Sequence, residues 1–197
     1  MSQSIQERNL VRLDQHGLDG SNYYWVNRKR LGYSDEELIA VGMSSPYVLV
    51  DRGIIQPLND VNLSLKSSGR SLFIKEGYRS PALYRLAYER YAQKHGKARA
   101  DRLFNLSDMP HATGLSVDVV VLDASEQPIY YRDGDDDPEG CFVDFYKSRT
   151  DDKGKAFHQH QVELITLMQE NGFRLGKKRE YWHFDYLPYT ALNYLDH

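Results

Sequence analysis

The sequence predicts an α+β fold, a small, mostly antiparallel sheet with flanking helices. Three observations predict it. "IIQPLNDVNLSLKSSG" and "SPALYRLAYERYAQKHG" carry helical signatures with defined ends. "SLFIKEGY", "LSVDVVVLD" and "EYWHFDYLP" read as strands. The helices are segregated around these strands, and 197 residues with 41% hydrophobic and 27% charged side chains suit one domain with a sizeable core.

Taken in order, residues 1–33 are polar and aromatic and read as irregular, with a strand near "NYYWVN". "SDEELIAVG" predicts a short helix, because Ser34 and Glu37 form a capping box. "PYVLVD" (46–51) predicts a strand. Apolar residues at 54, 58, 61 and 65 give the next segment a helical stripe that ends at Gly69. A strand at 71–78 follows. The clearest helix then runs from the N-cap Ser80, with Pro81 at its first position, to the stop at Gly96. "KARADRLFN" is a second, basic helix, residues 115–123 a strand, and "PIYY" another strand after a turn. "DGDDDPEG" is an acidic loop, "AFHQHQVELITLMQENG" a helix ending at Gly172, and "EYWHFDYLP" the closing strand. There is no internal repeat and no low-complexity tract.

Composition narrows the function classes. A net charge of −3 gives no footprint for nucleic acid or an anionic membrane surface. The 15 tyrosines suit β-structure or a polar, aromatic-lined cleft. One cysteine, Cys141, allows no internal disulfide. "MSQSIQERNLVRLDQHG" holds no apolar core of signal-peptide length, and no segment is long and apolar enough to span a bilayer, so a cytoplasmic protein is expected.

Two motifs carry the chemistry. In "PHATGLSVDVVV", His111 and Asp118 stand seven apart, and Asp118 interrupts an apolar strand. A carboxylate there needs a positive partner: an arginine, a backbone cap or a metal ion. The second motif, Glu180-Tyr-Trp-His183, lies about 65 residues downstream. A hydrolytic zinc site needs three protein ligands, an open position and a carboxylate beside the water. His111, Asp118 and His183 would supply two nitrogens and an oxygen, and Glu180 the carboxylate. On an ideal strand Glu180 and His183 would face opposite sides. They converge only with a bulge, a strong twist, or Glu180 in the preceding loop.

The pair "HATGLSVD" and "EYWH" resembles the H-x-x-G-x-x-x-D and E-x-W-H motifs of the zinc D,D-peptidases. That family includes D-alanyl-D-alanine dipeptidases of the VanX type, D,D-carboxypeptidases and hedgehog-like folds. "EGYRSP", "EGCFVDFY" and "NGFRLGKKREYWHFDY" extend the resemblance in order over residues 70–187, some 60% of the chain, whereas 1–69 match loosely. The resemblance implies a single zinc-peptidase domain over 1–197 with its catalytic core at 70–187. It implies one Zn2+ held by His111, Asp118 and His183, Glu180 as general base, and Arg79 as transition-state stabiliser. Asp144 would meet the amino group of a small peptide substrate. Hydrolysis of D-Ala-D-Ala or a close relative is expected. The alternatives are a D,D-carboxypeptidase or endopeptidase acting on longer cell-wall peptides, or an inactive peptide-binding relative. Met109 departs from the family, which has serine two residues before the first histidine ligand. Ser116 conserves the small residue two before Asp118.

Other features have plainer readings. Tyr181 and Trp182 are core or cleft-wall aromatics, and Arg79 read alone is a structural ion pair at a strand-to-helix turn. His158 and His160, two apart on a helix, face different sides. Asp133, Asp135, Asp137 and Asp144 fall at positions 1, 3, 5 and 12 of a calcium loop, but Pro138 replaces the required glycine and position 12 is not glutamate. A solvated loop at the mouth of the site is expected instead.

Overall fold

Alternation of small apolar and polar residues over 115–123 builds the central strand, β5 (Ser116–Leu122). Val117, Val119 and Val121 are buried on one face. Ser116 and Asp118 fall on the other. In the computed structural model, which describes residues 9–136 and 138–186, β5 is the middle of a five-stranded sheet. The remaining strands are β2 (Asp19–Gly20), β4 (Ser71–Glu76), β6 (Phe173–Leu175) and β7 (His183–Tyr186), in the order β2-β4-β5-β7-β6. Every pairing is antiparallel except β2 with β4. A separate ribbon pairs β1 (Leu10–Arg12) with β3 (Leu49–Asp51).

The apolar face of the sheet is covered by α4 (Ile55–Lys66) and α8 (Asp152–Glu170). Leu58, Val61 and Leu65 of α4 and Leu164 and Met168 of α8 share one core with Leu72, Ile74, the three valines and Phe184. Ile54, Leu58, Val61 and Leu65 are all buried, as the helical stripe predicts. Leu13 and Leu18, from the loosely matching first part of the chain, enter the same core.

A second cluster gathers α5 (Pro81–His95) against the short helices α1 (Tyr23–Val26), α2 (Arg28–Leu31) and α3 (Asp35–Ala40). The Ser34–Glu37 capping box forms. Ser80 Oγ accepts the Leu83 N–H at 3.1 Å, and α6 (Lys97–Leu103) follows α5. Among the described residues no helix is long and apolar enough to cross a membrane.

Three sequence expectations change. "NYYWVN" is the turn of helix α1, because the Asn22 side chain accepts the N–H groups of Tyr24 and Trp25. "PIYY" makes only an isolated bridge, Pro128 to Leu122. The last long helix starts at Asp152, where Asp151 caps the Gly154 N–H at 2.9 Å. Five elements carried too little local signal to be read at all: β1, β2 and α2 in the stretch read as irregular, β6, and α7 (Val143–Lys147).

One irregularity matters for function. On β4, Ile74 pairs with Val119, but Glu76 pairs with Asp118, so Lys75 is an extra residue in a β-bulge. The bulge reverses the alternation and turns Glu76 away from the core face that Leu72 and Ile74 occupy.

Candidate metal centre

Glu76, Asp118 and His183 are direct neighbours across three adjacent strands, which puts their side chains on one face. His111 arrives from a single 3-10 turn, Pro110–Thr113, just before β5. Gly114 makes the bend between them with φ 78°, and a side chain there would stand 2.6 Å from a Leu10 methyl.

His111 is held at three points. Its N–H donates to Tyr84 Oη at 2.9 Å, and its carbonyl accepts the Arg79 N–H at 3.1 Å. Its Nδ1 lies 2.8 Å from the Gly77 carbonyl. A carbonyl only accepts, so Nδ1 carries the hydrogen and Nε2 presents its lone pair, 3.3 Å from Asp118 Oδ1. His183 is arranged likewise. Its Nε2 lies 3.2 Å from Asp185 Oδ1 and its Nδ1 2.9 Å from Asp118 Oδ1. Asp185 is itself fixed by the Ser116 hydroxyl at 2.7 Å. One ligand atom from each of His111, Asp118 and His183 lies within 4.8 Å of the others, so the three could hold a metal ion. Two imidazole nitrogens and a carboxylate, with both outer nitrogens tied off, form a donor set that fits zinc.

The charges agree with this geometry. Burial pushes the Asp118 carboxyl up, but His111 and His183, when their rings are protonated in the metal-free site, outweigh it and hold it well below the usual carboxylate range. Burial pulls His183 down, yet its hydrogen bonds to Asp118 and Asp185 raise it to about 10. A proton on His183 thus occupies the position that a cation would take.

Glu180 lies in the turn before β7, bridged to Phe142, so the spacing problem of an ideal strand does not arise. It lines the same cleft as the trio. Burial raises its carboxyl to about 7, opposed by the charge of His183.

Arg79 is buried in the cleft wall, between the rings of Tyr24 and Tyr84 at 4.9 and 4.4 Å. Glu76 accepts from its Nε at 2.9 Å and its Nη2 at 2.5 Å. Arg79 is therefore an ion pair and a cleft residue at once. Asp144, expected at the substrate's amino group, is not brought into the cleft. It is exposed and accepts from Arg179 at 2.7 and 2.9 Å. In the acidic loop, Asp133 is paired with Lys153, and Asp136 accepts from Tyr146 Oη at 2.9 Å. Asp137 lies outside the described residues. Arg132 and Cys141, at the two ends of this loop, line the cleft.

Three contributors escaped the sequence reading. Asp185 orients His183, Lys75 lines the cleft on the face of β4 opposite Leu72 and Ile74, and Gly176 makes room for the His183 ring. A Cβ on Gly176 would stand 2.1 Å from His183 Cδ2. The "HFD" order could have flagged Asp185, since residues two apart on a strand share a face. Met109, in the left-handed region at φ 41°, begins the turn that carries His111.

No family model and no curated protein matches the chain. Solved structures do. One is the vancomycin resistance D,D-pentapeptidase VanY, a mutant from a VanB-type cassette in complex with Zn(II): 16% identity over 75% of this chain and 79% of that one, TM-score 0.46. A second is the vancomycin resistance D,D-dipeptidase VanXYg with a D-Ala-D-Ala phosphinate analogue: 17% identity over 77% of this chain and 57% of that one, TM-score 0.45. A third is the LdcB LD-carboxypeptidase: 15% identity over 71% of this chain and 59% of that one, TM-score 0.45. The matched part thus spans less than two thirds of two of these proteins.

Proposed function

We propose that this protein is a zinc-dependent peptidase acting on D-Ala-D-Ala or a closely related D,D-peptide. The observation that carries the reading is the convergence of His111 Nε2, an Asp118 oxygen and His183 Nδ1 beside Glu180. Those three atoms would hold the ion. When bound, zinc supplies Lewis acidity that lowers the pKa of a water to about 7. Glu180 takes the water proton and passes it to the leaving amine, a role open to a buried carboxyl that lines the same cleft as the three ligands. Glu76 fixes Arg79 through Nε and Nη2, which leaves Nη1 for the carbonyl oxygen as negative charge develops. Asp144 has no part in this reading, because Arg179 holds it outside the cleft.

Metal analysis and an amine-release assay test the proposal. Wild type should hold about one zinc and cleave D-Ala-D-Ala. Glu180→Ala should keep the metal and lose about 100- to 10,000-fold in rate. Zinc without hydrolysis of any D,D-peptide would instead support a peptide-binding protein. A second reading, a D,D-carboxypeptidase on longer cell-wall peptides, is favoured by the size of the cleft, about 710 Å³. Pockets of about 300–1,000 Å³ hold drug-sized ligands, so a dipeptide would leave much of it unfilled. The ratio of kcat/KM for a pentapeptide to that for the dipeptide separates the two.

A further inference from the structure

A peptide with a free C-terminus brings a carboxylate into a cleft that already holds Glu76, Asp118, Glu180 and Asp185. That charge needs a cation, since an unpaired buried carboxylate is costly. Most cations of the cleft are engaged. Arg79 is held by Glu76, Arg90 by Glu37, Lys177 by Asp108, and Lys178 by the Asp101 carbonyl. Lys75 differs. Among the described residues no carboxylate lies within ion-pair distance of its amine, which sits 4.9 Å from the centre of the Trp182 ring. Lys75 follows the core residue Ile74 and so faces the cleft by the ordinary alternation of β4, and Trp182 adjoins His183. Burial lowers the Lys75 pKa, while Asp118 and Glu180 pull it back up, so both acids of the site lie within its electrostatic reach.

We propose that Lys75 receives the free carboxylate of the peptide substrate and so restricts the site to C-terminal bonds. This rests on the peptidase reading and deepens it. An enzyme with such an anchor trims an end and does not cut within a chain. The Trp182 ring lies beside the amine itself, its centre 4.9 Å away, and an ammonium has three donors to offer an anion.

The test uses the zinc-loaded full chain with D-Ala-D-Ala and its C-terminal amide as probes. Binding is measured by calorimetry in a Glu180→Gln background, and hydrolysis with Glu180 intact. Lys75→Met should weaken binding of the free acid by about 10- to 100-fold and leave the amide unchanged. Its loss in kcat/KM should fall mainly in KM, and Lys75→Arg should restore most of it. Zinc content confirms that each variant is folded at the site. Equal effects on acid and amide would overturn the proposal and assign Lys75 to the charge of Glu180, leaving the peptidase reading intact. A Lys75-dependent preference for the acid without hydrolysis of any D,D-peptide would keep the subsite and overturn the peptidase. Binding of neither peptide would overturn both.

Discussion

On β5, Val117, Val119 and Val121 enter the core with α4 and α8, while Ser116 and Asp118 face the cleft with His183, Asp185 and Glu180. The two faces of one sheet thus follow different rules. The core face is held by non-directional burial, in which one aliphatic side chain substitutes for another of similar volume. The cleft face is held by directed bonds, each satisfying a polar atom that would otherwise be costly. The strand's alternation serves both faces at once, and the bulge at Lys75 is where β4 exchanges one set of rules for the other.

The sharpest way to separate the faces is through their most extreme members. Glu180→Ala should remove about 100- to 10,000-fold of the rate while the melting temperature of the zinc-loaded protein stays near wild type. A large fall in that temperature would show that the cleft face also carries the fold. The converse change is Ile74→Ala, one residue before the bulge. It should cost about 2–5 kcal/mol in denaturant unfolding and leave zinc affinity unchanged below the transition. Loss of zinc from the folded variant would break the comparison.

A smaller effect is expected at Asp185, which touches His183 but lies outside the trio that could hold a metal ion. Asp185→Asn should weaken zinc affinity by about 10- to 100-fold in a chelator competition, with the fold retained. An unchanged affinity would remove its orienting role. The mildest test is pH. With metal chelated away, His183 stands at about 10 against an ordinary 6.5. A raised histidine stabilises the fold fully below pH 6.5, and that contribution is lost as pH rises through about 10. The zinc-loaded protein should behave oppositely and lose metal as pH falls, because the ligand must be neutral. Thermal unfolding of both forms from pH 6 to 10 compares the slopes. Parallel slopes would contradict a shared position for proton and metal.

Local signals account for what was legible. Capping at Ser34 and Ser80, the stripe from Ile54 to Leu65 and the alternation in β5 each involve residues within a turn or two of one another. The candidate metal trio was legible mainly through the resemblance of its two motifs, since each motif alone is a weak signal. Helix α1 was not, because the aromatic run Tyr23–Trp25 favours a strand and only the Asn22 cap decides otherwise. The isolation of Asp144 depends on Arg179, a partner 35 residues away that no local pattern names.

The sequence by itself determined the main helices and strands, because helical period and strand alternation are written in residue types and short spacings, while His111, Asp118, Glu180 and His183 stood out as a candidate site through the resemblance of their two motifs to the zinc D,D-peptidases. Tertiary structure alone decided that Asp185 backs His183 and that the bulge brings Glu76 onto the cleft face, where it pins Arg79. Each of these depends on strand register, and register is set by how whole faces pack rather than by any neighbouring residue.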